Sequence, residues 1–166
     1  PKSPRARRRV EAELAWLEWG ANANVPIHIF RLAGIYGPGR SPIDALRAGT
    51  ARRIVKPGQV FSRIHVDDVA TVLAASMAHP NSGRIYNVCD DEPAPPHVVV
   101  EYAASLIGVS PPPLETFEGA AQSMSEMALS FYAESKRVGN QRVKSELAVT
   151  LLYPTYREGL RACNSR

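Results

Sequence analysis

An α/β fold with parallel strands joined by helices is what this sequence predicts, and three observations carry the reading. The runs V-P-I-H-I-F-R-L at 25–32 and R-I-Y-N-V-C at 84–89 have the length and branched apolar content of buried strands. Segments with apolar residues at helical spacing, such as Val69, Val72, Leu73 and Met77, lie between them. Strand and helix therefore alternate through the middle of the chain, the pattern of crossover units in a parallel sheet. With 166 residues, 45% of them apolar, one domain with a buried core is expected.

The elements follow in order. Residues 5–19 read as a helix with Val10, Leu14 and Leu17 on one stripe and Trp16 and Trp19 beside it; Gly20 is its natural stop. Strand 25–32 begins at Pro26, where a missing donor does least harm. G-I-Y-G-P-G-R-S-P at 34–42 reads as a loop, and 42–48 as a short helix. Short strands at 53–55 and 60–64 flank a turn at Pro57-Gly58. Asp67 or Asp68 is expected to cap a helix at 68–78. Strand 84–89 ends in the turn Asp90-Asp91-Glu92-Pro93. Pro95 and Pro96 open a helix at 96–107 that Gly108 closes. Pro111 to Pro113 exclude regular structure. Residues 119–130, part of 135–147, and 154–162 complete the helices. The 68–78 helix is expected to join strands 25–32 and 84–89 as parallel neighbours.

Composition narrows the function classes. No apolar run approaches the ~18 residues of a membrane span, and a cytoplasmic protein without membrane partners is expected. Cys89 and Cys163 are far apart with no Cys-x-x-Cys pair, so reduced thiols are expected and a zinc site is not. The net charge is +4, with Lys2, Arg5, Arg7, Arg8 and Arg9 crowding the first nine residues. Arg7–Glu11 and Arg9–Glu13 stand at i,i+4, so the cluster reads as a solvated helix start rather than a nucleic-acid contact.

Several groups are candidates for chemistry. Gly34, Gly37 and Gly39 around Tyr36 and Pro38 leave backbone uncovered beyond a strand's carboxyl end, where ligands sit in open α/β sheets. Arg63 has the geometry to hold an anion bidentately. His65, Asp67 and Asp68 read as strand and cap chemistry rather than metal ligands. Asp90, Asp91 and Glu92 read as a turn, and Tyr132, Lys136 and Arg137 are polar groups late in the chain.

Four segments in order carry a resemblance: F-R-L-A-G-I-Y-G-P-G-R at 30–40, R-I-H-V-D-D-V-A at 63–70, I-Y-N-V-C-D-D-E-P at 85–93, and S-K-R-V at 135–138 with Y-P-T-Y-R-E-G-L at 153–160. Together they resemble the second half of the extended, atypical short-chain dehydrogenase/reductases, the NAD-dependent epimerase/dehydratase superfamily. The resemblance implies that residues 1–166 are the C-terminal portion of a Rossmann-type doubly wound parallel sheet with a small α/β substrate lobe. It implies NAD or NADP as cofactor, a small-molecule substrate, and epimerisation, dehydration or reduction as the reaction. It places Leu32, Ala33 and Gly34 near the nicotinamide, and Tyr36, Gly37, Pro38 and Arg63 on the substrate side.

The sequence also departs from that family. No G-x-x-G-x-x-G or G-x-G-x-x-G phosphate loop is present, and the first residue is Pro1, so the chain is expected to be a fragment that does not bind the cofactor alone and self-associates through an uncovered sheet edge. The family's catalytic tyrosine and lysine fall near Arg5 and Arg9, and no tyrosine precedes Tyr36. An arginine does not shuttle protons at neutral pH. Phe61 stands where nucleotide-sugar epimerases carry a diphosphate-binding arginine, and Gly34 where they carry a substrate-binding asparagine, which argues against a nucleotide sugar. Two other readings stay open: a non-catalytic NAD(P)-binding regulator and a basic nucleic-acid-binding module.

Overall fold

Three parallel strand pairs organise the computed structural model, which describes residues 4–165. Helix α1 (Pro4–Ala23) leads to β1 (His28–Leu32), β2 (Gly34–Tyr36) and α2 (Pro42–Arg47). Then come β3 (Arg53–Val55), β4 (Arg63–His65), α3 (Val66–Ala78), β5 (Arg84–Val88) and α4 (Pro96–Ile107). Strand β6 (Leu114–Thr116) precedes α5 (Phe117–Ala121), α6 (Glu126–Tyr132), α7 (Gln141–Leu147) and α8 (Tyr156–Asn164). Strand β1 pairs with β5 in parallel, from His28 opposite Arg84 to Leu32 opposite Val88. Helix α3 lies between them in sequence, so the expected parallel neighbours form. Strand β2 pairs with β4, and β3 with β6, also in parallel.

The pairing partner changes at one residue. Ala33 N–H still donates to Val88 O of β5 (3.0 Å), whereas Gly34 N–H donates to Ser62 O at the entry to β4 (3.2 Å). The chain thus leaves one strand pair and joins another at the carboxyl end of β1. Such switch points open crevices in α/β sheets.

Two cores flank this switch. Tyr36, Ile43, Val99, Ala103, Tyr156 and Leu160 are packed between β2, α2, α4 and α8. Ile64, Val72, Tyr86, Val88, Val143 and Leu147 fill the space beneath α3 and α7. A smaller cluster of Ile54, Ala120 and Tyr132, with Phe61 and Phe117 against it, forms the lobe of β3, β6, α5 and α6.

Local departures from the sequence reading have identifiable causes. Helix α1 does not stop at Gly20 but at Ala23, with Asn24 in the left-handed region (φ 53°). Val25 N–H to Gly20 O and Asn24 N–H to Ala21 O close a Schellman motif. Residues 25–27 complete that cap, so strand pairing begins only at His28. Residues 34–36, expected as loop, form β2. Pairing near 60–64 starts at Arg63, because Phe61 makes only an isolated antiparallel bridge to Ala94. The helix expected at 119–130 is two helices, each with its own cap: Thr116 Oγ1 accepts from Gly119 N–H, and Ser125 Oγ from Ala128 N–H. Helix α3 is capped not by Asp67 or Asp68 but by His65, whose Nδ1 accepts from Asp67 N–H at 3.2 Å. Asp68 is fully buried and accepts from Leu152 N–H (2.6 Å) and Tyr153 N–H (3.1 Å), tying the C-terminal segment to α3. Glu13 pairs with Arg31 of β1 at 2.6 Å rather than with Arg9, and that partner holds its carboxyl below the usual range. Lys2 lies outside the described residues.

Candidate functional site

One open cleft of about 1160 Å³ lies at the switch point. Its floor is the end of β1 and the start of β2, with Leu32, Ala33, Gly34, Ile35 and Tyr36 contributing. Leu32 and Ile35 are exposed there, and a Cβ at Gly34 would make only ordinary contact, 3.5 Å from Ser62 O. The floor is thus apolar, with accessible backbone at Gly34.

The turn after β2 shapes one wall. Pro38 and Gly39 (φ 77°) occupy the central positions of Gly37–Pro38–Gly39–Arg40, the type II signature, and Gly37 and Arg40 exchange backbone hydrogen bonds. The chain then enters α2 through a capping box: Asp44 Oδ2 accepts from Ser41 N–H (2.8 Å) and Ser41 Oγ (2.6 Å). Ser41, Asp44, Ala45 and Ala48 present small side chains to the cleft. The opposite wall is the lobe, through Ala128, Ser130, Phe131 and Tyr132. Lys56 Nζ donates to the Tyr132 carbonyl, and Phe61 and Phe117 pack against the Tyr132 ring at 5.2 and 5.1 Å. Helix α1 supplies Arg5 and Arg9 at the rim.

The residues singled out from sequence do not all meet here. Leu32, Ala33, Gly34, Tyr36, Arg63, Tyr132, Lys136, Arg5 and Arg9 line the cleft; Gly37, Pro38 and Arg137 do not. A Cβ at Gly37 would fall 2.6 Å from Val66 Cγ1, so the glycine admits the first turn of α3. The Tyr36 hydroxyl is buried against Gly159 of α8, and burial, reinforced by the Asp90 charge, pushes its pKa up. Arg63 spends one arm on the backbone: Nη1 donates to Phe61 O (2.9 Å) and Ala94 O (3.2 Å), and burial lowers its pKa. Arg40, Ser130 and Phe131 line the cleft unanticipated; a cation directly after the glycine turn was the available signal for Arg40.

Behind the floor lies a buried polar layer. Asp90 is 1% exposed, its Oδ2 has no hydrogen-bond partner among the described residues, and burial raises its pKa to about 7 against the opposing pull of Glu92 N–H and Arg63. Asp91 and Glu92 face elsewhere, Asp91 to Lys144 (2.6 Å) and Asn140 (2.7 Å), Glu92 to Arg157. Both cysteines are buried and no disulfide joins them; burial raises Cys89 to about 11. Among the described residues no group of His, Cys, Asp or Glu is placed to hold a metal, and no helix is long and apolar enough to cross a membrane.

Parallel strand pairs, a crevice at the switch and a side lobe define a Rossmann-type α/β fold. Comparison with known proteins agrees. No protein-family model matches the chain. Protein YeeZ of Escherichia coli K12 is 29% identical over 128 residues, 77% of this chain and 41% of YeeZ. A functionally unknown conserved protein from Silicibacter pomeroyi is 56% identical with a TM-score of 0.87, over 99% of this chain and 56% of that one. RMD from Pseudomonas aeruginosa, complexed with NADPH, is 20% identical with a TM-score of 0.72, again over 99% and 56%. UDP-glucose 4-epimerase from Thermotoga maritima, with UDP-glucose, is 14% identical with a TM-score of 0.76, over 99% and 53%. The chain shares its fold with RMD and with the UDP-glucose 4-epimerase. It spans about half the length of the proteins it matches.

Proposed function

We propose that residues 1–166 are the C-terminal half of an NAD(P)-dependent epimerase-, dehydratase- or reductase-like protein acting on a small polar molecule. The observation that carries this is the convergence, in one cleft at the strand switch, of Leu32, Ala33 and Gly34 with Tyr36, Arg63 and the lobe. A nicotinamide bound there would supply hydride chemistry. Leu32 and Ala33 give its ring an apolar floor, and Gly34 lets it approach the backbone. Phe131 and Tyr132 line the cleft from the lobe. Tyr36 is held too deep to exchange a proton with a ligand, and arginines cannot replace a tyrosine as proton shuttle. Hydride transfer therefore needs an acid–base group outside these residues, and a protein that binds the cofactor without turnover is the second reading.

The test is Gly34→Leu in the whole protein. The added Cβ has room, so the fold is retained, while the isobutyl group projects into the cleft. Affinity for NAD or NADP is expected to fall at least about tenfold, the equivalent of ~1.4 kcal/mol, with the melting temperature little changed. Unchanged affinity and unchanged turnover would reduce Gly34 to a turn residue and remove this reading.

A further inference from the structure

We infer that the cleft holds an anionic group, a carboxylate or a phosphate, between Arg5 and Arg9 of α1 and Arg40 after the β2 turn. The inference rests on the proposed function only in placing a ligand in this cleft, and it names the ligand's charge. Five cations line the cleft, Arg5, Arg9, Arg40, Arg63 and Lys136, against two carboxylates, Asp44 and Glu134. Both carboxylates are engaged: Asp44 closes the α2 capping box, and Glu134 is ion-paired with Lys136. Arg63 donates to backbone carbonyls. Arg5, Arg9 and Arg40 remain, and no ion pair or side-chain hydrogen bond joins them to the described residues.

Helix geometry makes this more than a crowd of charges. Arg5 and Arg9 are one turn apart on the same face of α1, so both guanidinium groups reach the rim. Glu13, the next residue on that face, is ion-paired with Arg31 at 2.6 Å, and Arg9 adds only a weaker charge attraction to it. Arg7 and Arg8 belong to the same basic run but do not line the cleft, and they are what a merely solvated helix start looks like. Guanidinium forks bind carboxylate and phosphate oxygens in pairs, so three around one opening select an anion of that kind over a neutral polyol.

The experiment titrates the whole protein with inorganic phosphate and with acetate by calorimetry at low salt. Saturable binding of at least one is expected, weakening with added sodium chloride. R5Q/R9Q is expected to lose about tenfold or more in affinity, and R40Q several-fold, as for charge-assisted hydrogen bonds. R7Q/R8Q, with the same change in net charge as R5Q/R9Q, should lose less than about twofold. All five arginines are exposed, and circular dichroism and melting temperature verify that the variants fold. No saturable binding to the wild type, or equal losses in R5Q/R9Q and R7Q/R8Q, would overturn the inference. A parallel NADPH titration separates the two possible sources of the anion. Displacement of phosphate by NADPH assigns the arginines to the dinucleotide's own phosphates, and simultaneous binding assigns them to the substrate. Phosphate binding in a protein that takes no NAD or NADP would sustain this inference while removing the cofactor reading.

Discussion

The core around α8 and the margin formed by α1 and β1 are held in opposite ways. Around α8, Ile43, Tyr156 and Leu160 are wholly buried, and reciprocal capping boxes, Ser41 with Asp44 and Thr155 with Glu158, fix the helix starts. At the margin, α1 buries only Glu13 and Gly20, while Leu14, Trp16 and Trp19 are each more than half exposed. An ion pair to Arg31 and the close approach of Gly20 to Ile27 hold that helix, not its apolar side chains. No described strand lies on the far side of β1 from β5. The difference teaches that apolar periodicity marks a face to be covered without saying by what.

The largest effects belong to the closed region. Leu160→Ala removes a fully buried side chain and is expected to cost about 2–5 kcal/mol, whereas Leu14→Ala should cost no more than about 0.5 kcal/mol. Urea unfolding of both variants measures this, and equal losses would break the comparison. Gly159→Ala comes next. Its Cβ would fall 1.9 Å from the Tyr36 hydroxyl oxygen, so α8 must shift, at about 1–3 kcal/mol. Adding Tyr36→Phe deletes the nearest atom and a buried hydroxyl without a partner, and is expected to recover part of the loss. No recovery would show that the ring, not the hydroxyl, sets the contact.

Much of the fold was legible where a residue's backbone chemistry decides. Pro95-Pro96 and Gly108 bound α4 at the residues expected, and short branched runs marked β1, β3 and β5. Side-chain partners distant in sequence were not legible. Asp68 reads as a helix cap until Leu152 and Tyr153 are brought to it, and His65 caps α3 because its ring nitrogen reaches back to Asp67 N–H. The change of strand partner at Ala33 leaves no mark in periodicity, so β2 was read as loop. In the cleft, Leu32, Ala33, Gly34 and Arg63 came from the order of motifs. Arg40 closes the first of those motifs, but its place on the cleft came only with the folding of the turn, and Phe131, which belongs to no pattern, came only with the lobe.

Asp90, buried next to Arg63 and Glu92, adds a pH dependence. Its folded pKa of about 7 stands above the ~3.9 of an unfolded chain. Below about pH 4 both states are protonated and the contribution is complete. Between roughly pH 4 and 7 the unfolded chain ionises while the folded one keeps its proton, so stability falls by up to about 1.4 kcal/mol per pH unit. Above about pH 7 both are ionised and the loss is complete. Asp90→Asn should flatten this interval in denaturant titrations at stepped pH. An unchanged slope would mean that the carboxyl is already ionised in the fold.

The smallest effect on stability is expected at the margin, and it decides what covers it. Residues 1–166 expressed alone should self-associate and bind neither NAD nor NADP measurably, because the uncovered β1 edge and the exposed Leu14, Trp16 and Trp19 offer pairing groups and apolar surface together. Trp16→Ser with Trp19→Ser removes apolar surface that this chain does not bury. Folding stability should then change by no more than about 0.5 kcal/mol, while the monomer fraction in size-exclusion chromatography rises. In the whole protein, whose further residues would lie against this margin, the same pair of substitutions should lower the melting temperature and cofactor affinity together. A wild-type chain of 166 residues that stays monomeric, melts cooperatively and binds NAD would show that α1 and β1 are a finished surface.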